Sequence, residues 1–133
     1  MVMVLDIKNF LLVLLYMISI DAIWLKFIVG KVFVEHAKTV FREDGVLLWS
    51  AAIVYVLMTL GLMIFVKPYI ERHQSMLPIF LYGGVFGFII YGVFDFTNHA
   101  ILKQWPLNLI VLDLVWGAFL LGSSSLVLKK IIA

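Results

Sequence analysis

The sequence predicts an all-α integral membrane protein: a four-transmembrane-helix bundle with an amphipathic surface helix between helices 1 and 2. Three observations predict it. The chain is 133 residues long, 65% hydrophobic and only 14% charged, with a mean hydropathy of +1.15. Soluble domains lie near half apolar and a quarter charged, so a soluble or disordered chain is excluded. The apolar residues fall into four long runs, each long enough to cross a bilayer as helix. The runs do not alternate between apolar and polar residues as barrel strands do, and open sheets leave unpaired backbone groups in hydrocarbon.

The first crossing is read over residues 10–29, broken in character only by Ser19, Asp21 and Lys26. The second covers 46–66 and is closed by Lys67-Pro68. The third covers 77–102, opening near Pro78 and ending before Pro106. The fourth covers 107–128 and is closed by Lys129 and Lys130. Between the first and second, Phe33, Ala37, Val40 and Phe41 fall on one helical face, with Lys31, Glu35, Lys38 and Arg42 elsewhere. That pattern predicts a helix lying in the membrane surface; a solvated loop is the alternative. The whole length is expected to form one transmembrane domain, with no room for a soluble catalytic module.

Charge and cysteine set further limits. The formal net charge is +2 and no basic stripe of the kind that binds nucleic acid is present. There is no cysteine, so disulfides and thiol chemistry are excluded. A cleaved signal peptide is not expected, because Asp21 interrupts the run after Phe10 and no small-x-small site follows. Lys8, Lys67, Arg72, Lys129 and Lys130 balance Lys26, Lys31, Lys38, Arg42 and Lys103 across the membrane. Lys26 lies near a helix end and counts for less, so both termini are expected in the cytoplasm.

Three acids lie inside crossings: Asp21, Asp95 and Asp113. Insertion scales charge about 2.5–3.5 kcal/mol for such a residue at mid-helix, so these are functional candidates. Asp21 lies just past the middle of the first crossing, Asp95 in the last third of the third, and Asp113 in the first third of the fourth. Up-down topology brings all three into the same half of the bilayer. Tyr91, Asp95, Asn98 and His99 share one helical face, as do Asp21 with Trp24 and Asp113 with Trp116. Tyr55 on the second helix lies at the same depth. Lys103 is expected at the mouth, where a long side chain reaches inward or to the interface. Together these residues predict a polar pocket open toward one surface.

Two smaller patterns accompany it. Asp21-Ala-Ile-Trp24 and Asp113-Leu-Val-Trp116 are both Asp-x-x-Trp. If the echo is a repeat, it marks pseudo-symmetric halves of the kind small transporters use. Gly83 and Gly87 form a small-xxx-small pattern, read either as packing inside the bundle or as a homodimer surface.

Tyr91 to Lys103, then Trp105-Pro106, then Asp113-Leu-Val-Trp116-Gly117 resembles a family of small bacterial inner-membrane proteins of unknown function. Its pattern of Tyr-x-x-x-Asp-x-Thr-Asn, Leu-Lys-x-Trp-Pro and Asp-x-x-Trp-Gly is met here, and Asp21 and Trp24 match as well. The resemblance implies four helices and a bacterial inner (plasma) membrane, and no activity.

Three functions fit these residues. The leading one is binding or transport of protons or of a small polar or amphipathic ligand, since buried carboxyls can carry or share protons. The second is an intramembrane enzyme acting on a lipid or isoprenoid, with Asp95, Asp113 and His99 as acid, base or ligands. The residues lean away from it. Two acids and one histidine make a thin metal site, no strong ligand spacing exists, and neither a metal nor a cofactor is expected. The third is a structural or accessory subunit whose acids hold the helices in register. The expected partners are membrane lipids and an unidentified small molecule.

Overall fold

The computed structural model describes residues 2–29, 42 and 44–133. Apart from Arg42 and residues 44–45, the surface helix expected after the first crossing lies outside the described residues. Four helices are long and apolar enough to cross a membrane: Asp6–Phe27, Leu48–Arg72, Met76–Ile101 and Leu107–Ile132. No strand occurs among the described residues. The first helix, α1, is α-helical over Val2–Trp24 and ends in a wider π turn at Leu25–Val29. We label Leu48–Arg72 α2, Met76–Ile101 α3 and Leu107–Ile132 α4.

The boundaries differ from expectation where charged residues or prolines were read as stops. α2 does not end at Lys67-Pro68. It widens into a π turn at Leu62–Val66 and resumes as α-helix over Lys67–Arg72. Proline lacks an N–H and its ring collides with the carbonyl four residues back, so a regular helix cannot pass through it unchanged. The wide turn just before Pro68 absorbs that conflict. α4 likewise runs on through Lys129 and Lys130 to Ile132. Basic residues in a last turn favour the helix end and do not forbid helix.

The order is up-down-up-down. A Lys67–Asp6 ion pair at 2.7 Å ties the end of α2 to the start of α1, and Lys67–Arg72 also lies against α4. Both termini and the turn between α2 and α3 therefore share one end of the bundle. The outward faces are apolar, with Leu15 on α1, Val85 on α3 and Val111 on α4 all exposed, as hydrocarbon surroundings require. The interior is a layer of Val13, Met17, Leu62, Val66, Leu120 and Leu121, none with exposed surface.

The tightest pairing is α3 with α4. Lipid tails are as apolar as leucine, so helices in a bilayer associate through close backbone approach and polar contacts. Gly87 supplies the approach: a Cβ there would lie 2.1 Å from the Gly117 carbonyl oxygen. At Gly83 it would lie 1.9 Å from Ser125 Oγ. The Gly83–Gly87 surface is thus occupied by α4 of the same chain. That is the reading of the pattern as packing inside the bundle. Ser124 and Ser125 are fully buried, each hydroxyl donating at 2.7 Å to the carbonyl four residues back. Their polarity is satisfied internally while their small size keeps the helices close.

Gly87→Ala should therefore lower stability by about 1–3 kcal/mol, the usual cost of overpacking against atoms that cannot move. Gly92→Ala, whose Cβ would meet only the flexible end of Leu114 at 3.3 Å, should cost clearly less. Thermal unfolding of both variants in detergent checks the order; equal losses would contradict the close α3–α4 contact.

Candidate functional site

All three intramembrane carboxylates point inward. Asp95 has no exposed surface, and Asp21 and Asp113 retain 7% and 8%. Buried charged groups must be paired or hydrogen-bonded, and Asp21 and Asp95 have found donors on other segments.

Asp21 is held from two sides. Tyr55 of α2 donates its hydroxyl hydrogen to Asp21 Oδ2. Trp116 of α4 donates its indole N–H to Oδ1 at 2.8 Å. One carboxylate thereby joins three helices. Tyr55 is positioned in turn by its backbone carbonyl, which accepts from the buried Thr59 hydroxyl at 2.8 Å. The two tryptophans of the Asp-x-x-Trp echo meet face to face: Trp24 and Trp116 stack with centroids 4.3 Å apart and planes 1° from parallel. The echo is not symmetric in its bonding. Trp116 reaches across to Asp21, whereas the Trp24 indole nitrogen is buried without an acceptor.

Asp95 and Asp113 form the second half. Their carboxyl groups lie within electrostatic reach of each other. Asp95 Oδ1 also accepts the Trp105 indole N–H at 3.1 Å, while Oδ2 receives no N–H or hydroxyl donor. Carboxylate oxygens only accept, so any hydrogen bond between the two would require a proton held between them. Tyr91 lies in the midst, within electrostatic reach of Asp21, Asp113, Tyr55 and Asp95. Its ring rests on the bare backbone of Gly117, where a Cβ would come within 2.4 Å of the ring. The glycine that follows the Asp-x-x-Trp pair thus seats the tyrosine.

Of the ten residues singled out in the sequence, seven converge: Asp21, Trp24, Tyr55, Tyr91, Asp95, Asp113 and Trp116. Three do not. His99 Nδ1 pairs with the Trp105 carbonyl at 2.6 Å, so this histidine holds the turn after α3 and is not turned to the acids. Asn98 is half-buried and shares no side-chain hydrogen bond with the acids, and Lys103 is exposed. Trp105 is the residue that sequence reading missed. It looked like part of a tight turn, yet it is 6% exposed and packs edge-on to Phe94 at 5.9 Å. The signal available was a large amphipathic ring directly before a helix-opening proline, at the level of the acids. Among the described residues no lysine or arginine pairs with any of the three acids, and no group of ligands suited to a metal ion is formed.

The comparisons with known proteins bear on this geometry. The model of the family described as "Predicted membrane protein (DUF2177)" matches residues 6–128. The chain belongs to this family. The match bears out the resemblance read from the Tyr91–Gly117 motifs, and it includes every residue of the cluster. The family is one of uncharacterised membrane proteins, so membership supports the architecture and carries no activity. No curated protein and no solved structure matches the chain.

The arrangement yields a direct test of Asp95. Asp95→Asn keeps an acceptor for Trp105 and supplies a donor toward Asp113, whereas Asp95→Leu strands both neighbours. The leucine variant should lose about 1–3 kcal/mol more than the asparagine variant, the cost of leaving buried polar groups unsatisfied. Thermal unfolding in detergent measures the difference; equal stabilities would mean Asp95 is not bound as described.

Proposed function

We propose that this membrane protein binds protons, or a small polar or amphipathic ligand in their place, at the Asp95–Asp113 pair. The observation that carries the reading is that two buried carboxyls lie within electrostatic reach of each other with no basic side chain paired to either among the described residues. Such a pair titrates as a unit and holds a proton between its members. A purely structural cluster would be more economical with one acid, or with an acid and a base. Asp21 does fit a structural role, since its Tyr55 and Trp116 donors satisfy both oxygens and tie three helices. The functional burden therefore falls on Asp95 and Asp113, with Asp21 as their support.

Binding fits better than a standing pore. Below the acids, Val13, Met17, Leu62 and Leu120 are fully buried and close the interior toward the Lys67–Asp6 end. Transport would need that layer to open. An intramembrane enzyme is the less favoured reading, because His99 is occupied by the Trp105 carbonyl.

We further propose a bacterial inner-membrane setting with both termini cytoplasmic. Lys8, Lys67, Arg72, Lys129 and Lys130 belong to the end that carries the termini; the sequence assigns as many basic residues to the other side, and the orientation rests on Lys26 counting for less near a helix end. The chain lacks cysteine, so single-cysteine variants give clean readings. In intact spheroplasts, Lys103→Cys should react with a membrane-impermeant maleimide and Ser75→Cys should not; the reverse pattern would invert the topology.

The proton is tested by infrared spectroscopy of the full chain in lipid at neutral pH. A protonated-carboxyl C=O band should be present and should weaken in Asp95→Asn and in Asp113→Asn. Its absence from the unsubstituted protein would overturn the reading.

A further inference from the structure

The proton-binding reading leaves open what else the acids accept. Four features of the surroundings constrain the answer. First, Asp95 has no exposed surface, yet its Oδ2 receives no N–H or hydroxyl donor. An occupant that donates hydrogen bonds is called for, and a shared proton is the smallest such occupant. Second, three carboxylates meet with no lysine or arginine paired to them among the described residues, so the occupant's favoured charge is positive. Third, aromatic rings crowd the cluster: Trp24 stacked on Trp116, Tyr91 in its midst, and Trp105 bonded to Asp95. Aromatic faces attract organic cations, most strongly where water is excluded.

The fourth feature is access from the side. α2 leans on α1 along Leu48–Gly61, and its backbone approaches α3 mainly at Leu62–Val66, with Gly61 against Phe86. That approach lies toward the Lys67 end. At the acidic end α2 stands away from α3, and its Trp49, Ile53 and Val54 are exposed. Asp21 and Asp113 keep a trace of exposure that Asp95 lacks, so the cluster is not sealed. A molecule with a polar head at the acids and an apolar tail between α2 and α3 satisfies both environments, because the tail stays in hydrocarbon.

We propose that the site binds an organic ammonium group carried on an apolar tail, its N–H donors replacing the shared proton at Asp95 and Asp113 and its charge lying against the tryptophan and tyrosine rings. This deepens the proton-binding reading and rests on it. The shared chemistry has two sources, the amine headgroup of phosphatidylethanolamine and a free lipophilic amine.

Two arms test it with the full chain in dodecyl maltoside. Isothermal titration compares hexylamine with hexanol, which has the same tail and no charge. Hexylamine should bind about tenfold more tightly or better, the factor expected for one desolvated cation–π and charge contact. The preference should vanish in Asp95→Asn and in Asp113→Asn, each verified as folded by circular dichroism and gel filtration. In the second arm, native mass spectrometry follows release from membranes of phosphatidylethanolamine and phosphatidylglycerol. Preferential retention of phosphatidylethanolamine assigns the headgroup as the source, and hexylamine preference without such retention assigns a free amine. No preference for hexylamine over hexanol, or an equal preference in folded Asp95→Asn and Asp113→Asn, overturns the ammonium proposal. The infrared carboxyl band would be unaffected by that failure, so the proton-binding reading stands or falls separately.

Discussion

A carboxylate in hydrocarbon has few tolerable arrangements, and the rest of this molecule is organised around meeting them three times. Each acid must face the bundle interior, and each must find donors on other helices, because its own helix has already spent its backbone N–H groups on itself. Asp21 therefore draws Tyr55 from α2 and Trp116 from α4. Asp95 draws Trp105 from the turn that follows its own helix and lies within electrostatic reach of Asp113 on α4. Those demands fix the rotation of all four helices about their axes at one end of the bundle.

At the other end a different force takes over. Here the interior is apolar, and helix association depends on backbone approach. Gly83 and Gly87 let α3 sink onto Leu121, Ser125 and Gly117 of α4. The two halves are complementary. The glycine-rich half gives rigidity without polar groups, and the acidic half places polar groups that a rigid scaffold can hold at short range. Gly117 belongs to both, since its carbonyl oxygen lies against the bare backbone of Gly87 and its own missing side chain admits the Tyr91 ring.

The repeated Asp-x-x-Trp pair shows how equal sequence can acquire unequal roles. Both tryptophans enter one stack, as the shared spacing implies. Only Trp116 finds a carboxylate, and it finds the acid of the other helix. Asp113 is left to Asp95, and the Trp24 nitrogen is left unmatched. A repeat that was purely structural would be expected to pair twice. The unmatched Trp24 nitrogen and the Asp95 oxygen that receives no N–H or hydroxyl donor both belong to the acidic end, and these two unmet groups give it a chemical character of its own.

The sequence by itself determined the class, the four crossings and the common depth of the acids. These follow from properties carried by single residues and their spacing: transfer cost into lipid, helix rise and facing. It also determined which faces hold Asp21, Asp95 and Asp113, because helical periodicity is local. It misjudged the end of α2, where a π turn before Pro68 changes the local geometry without leaving a mark in composition. Only the tertiary structure decided who bonds to whom. His99 shares the Asp95 face by spacing, yet it turns to the Trp105 carbonyl, since the chain reverses just beyond it. Trp105 joins the site although it lies on no crossing, and Gly83 and Gly87 meet α4 of their own chain. Such choices depend on the relative rotation and closeness of helices far apart in sequence, and no local pattern encodes those distances.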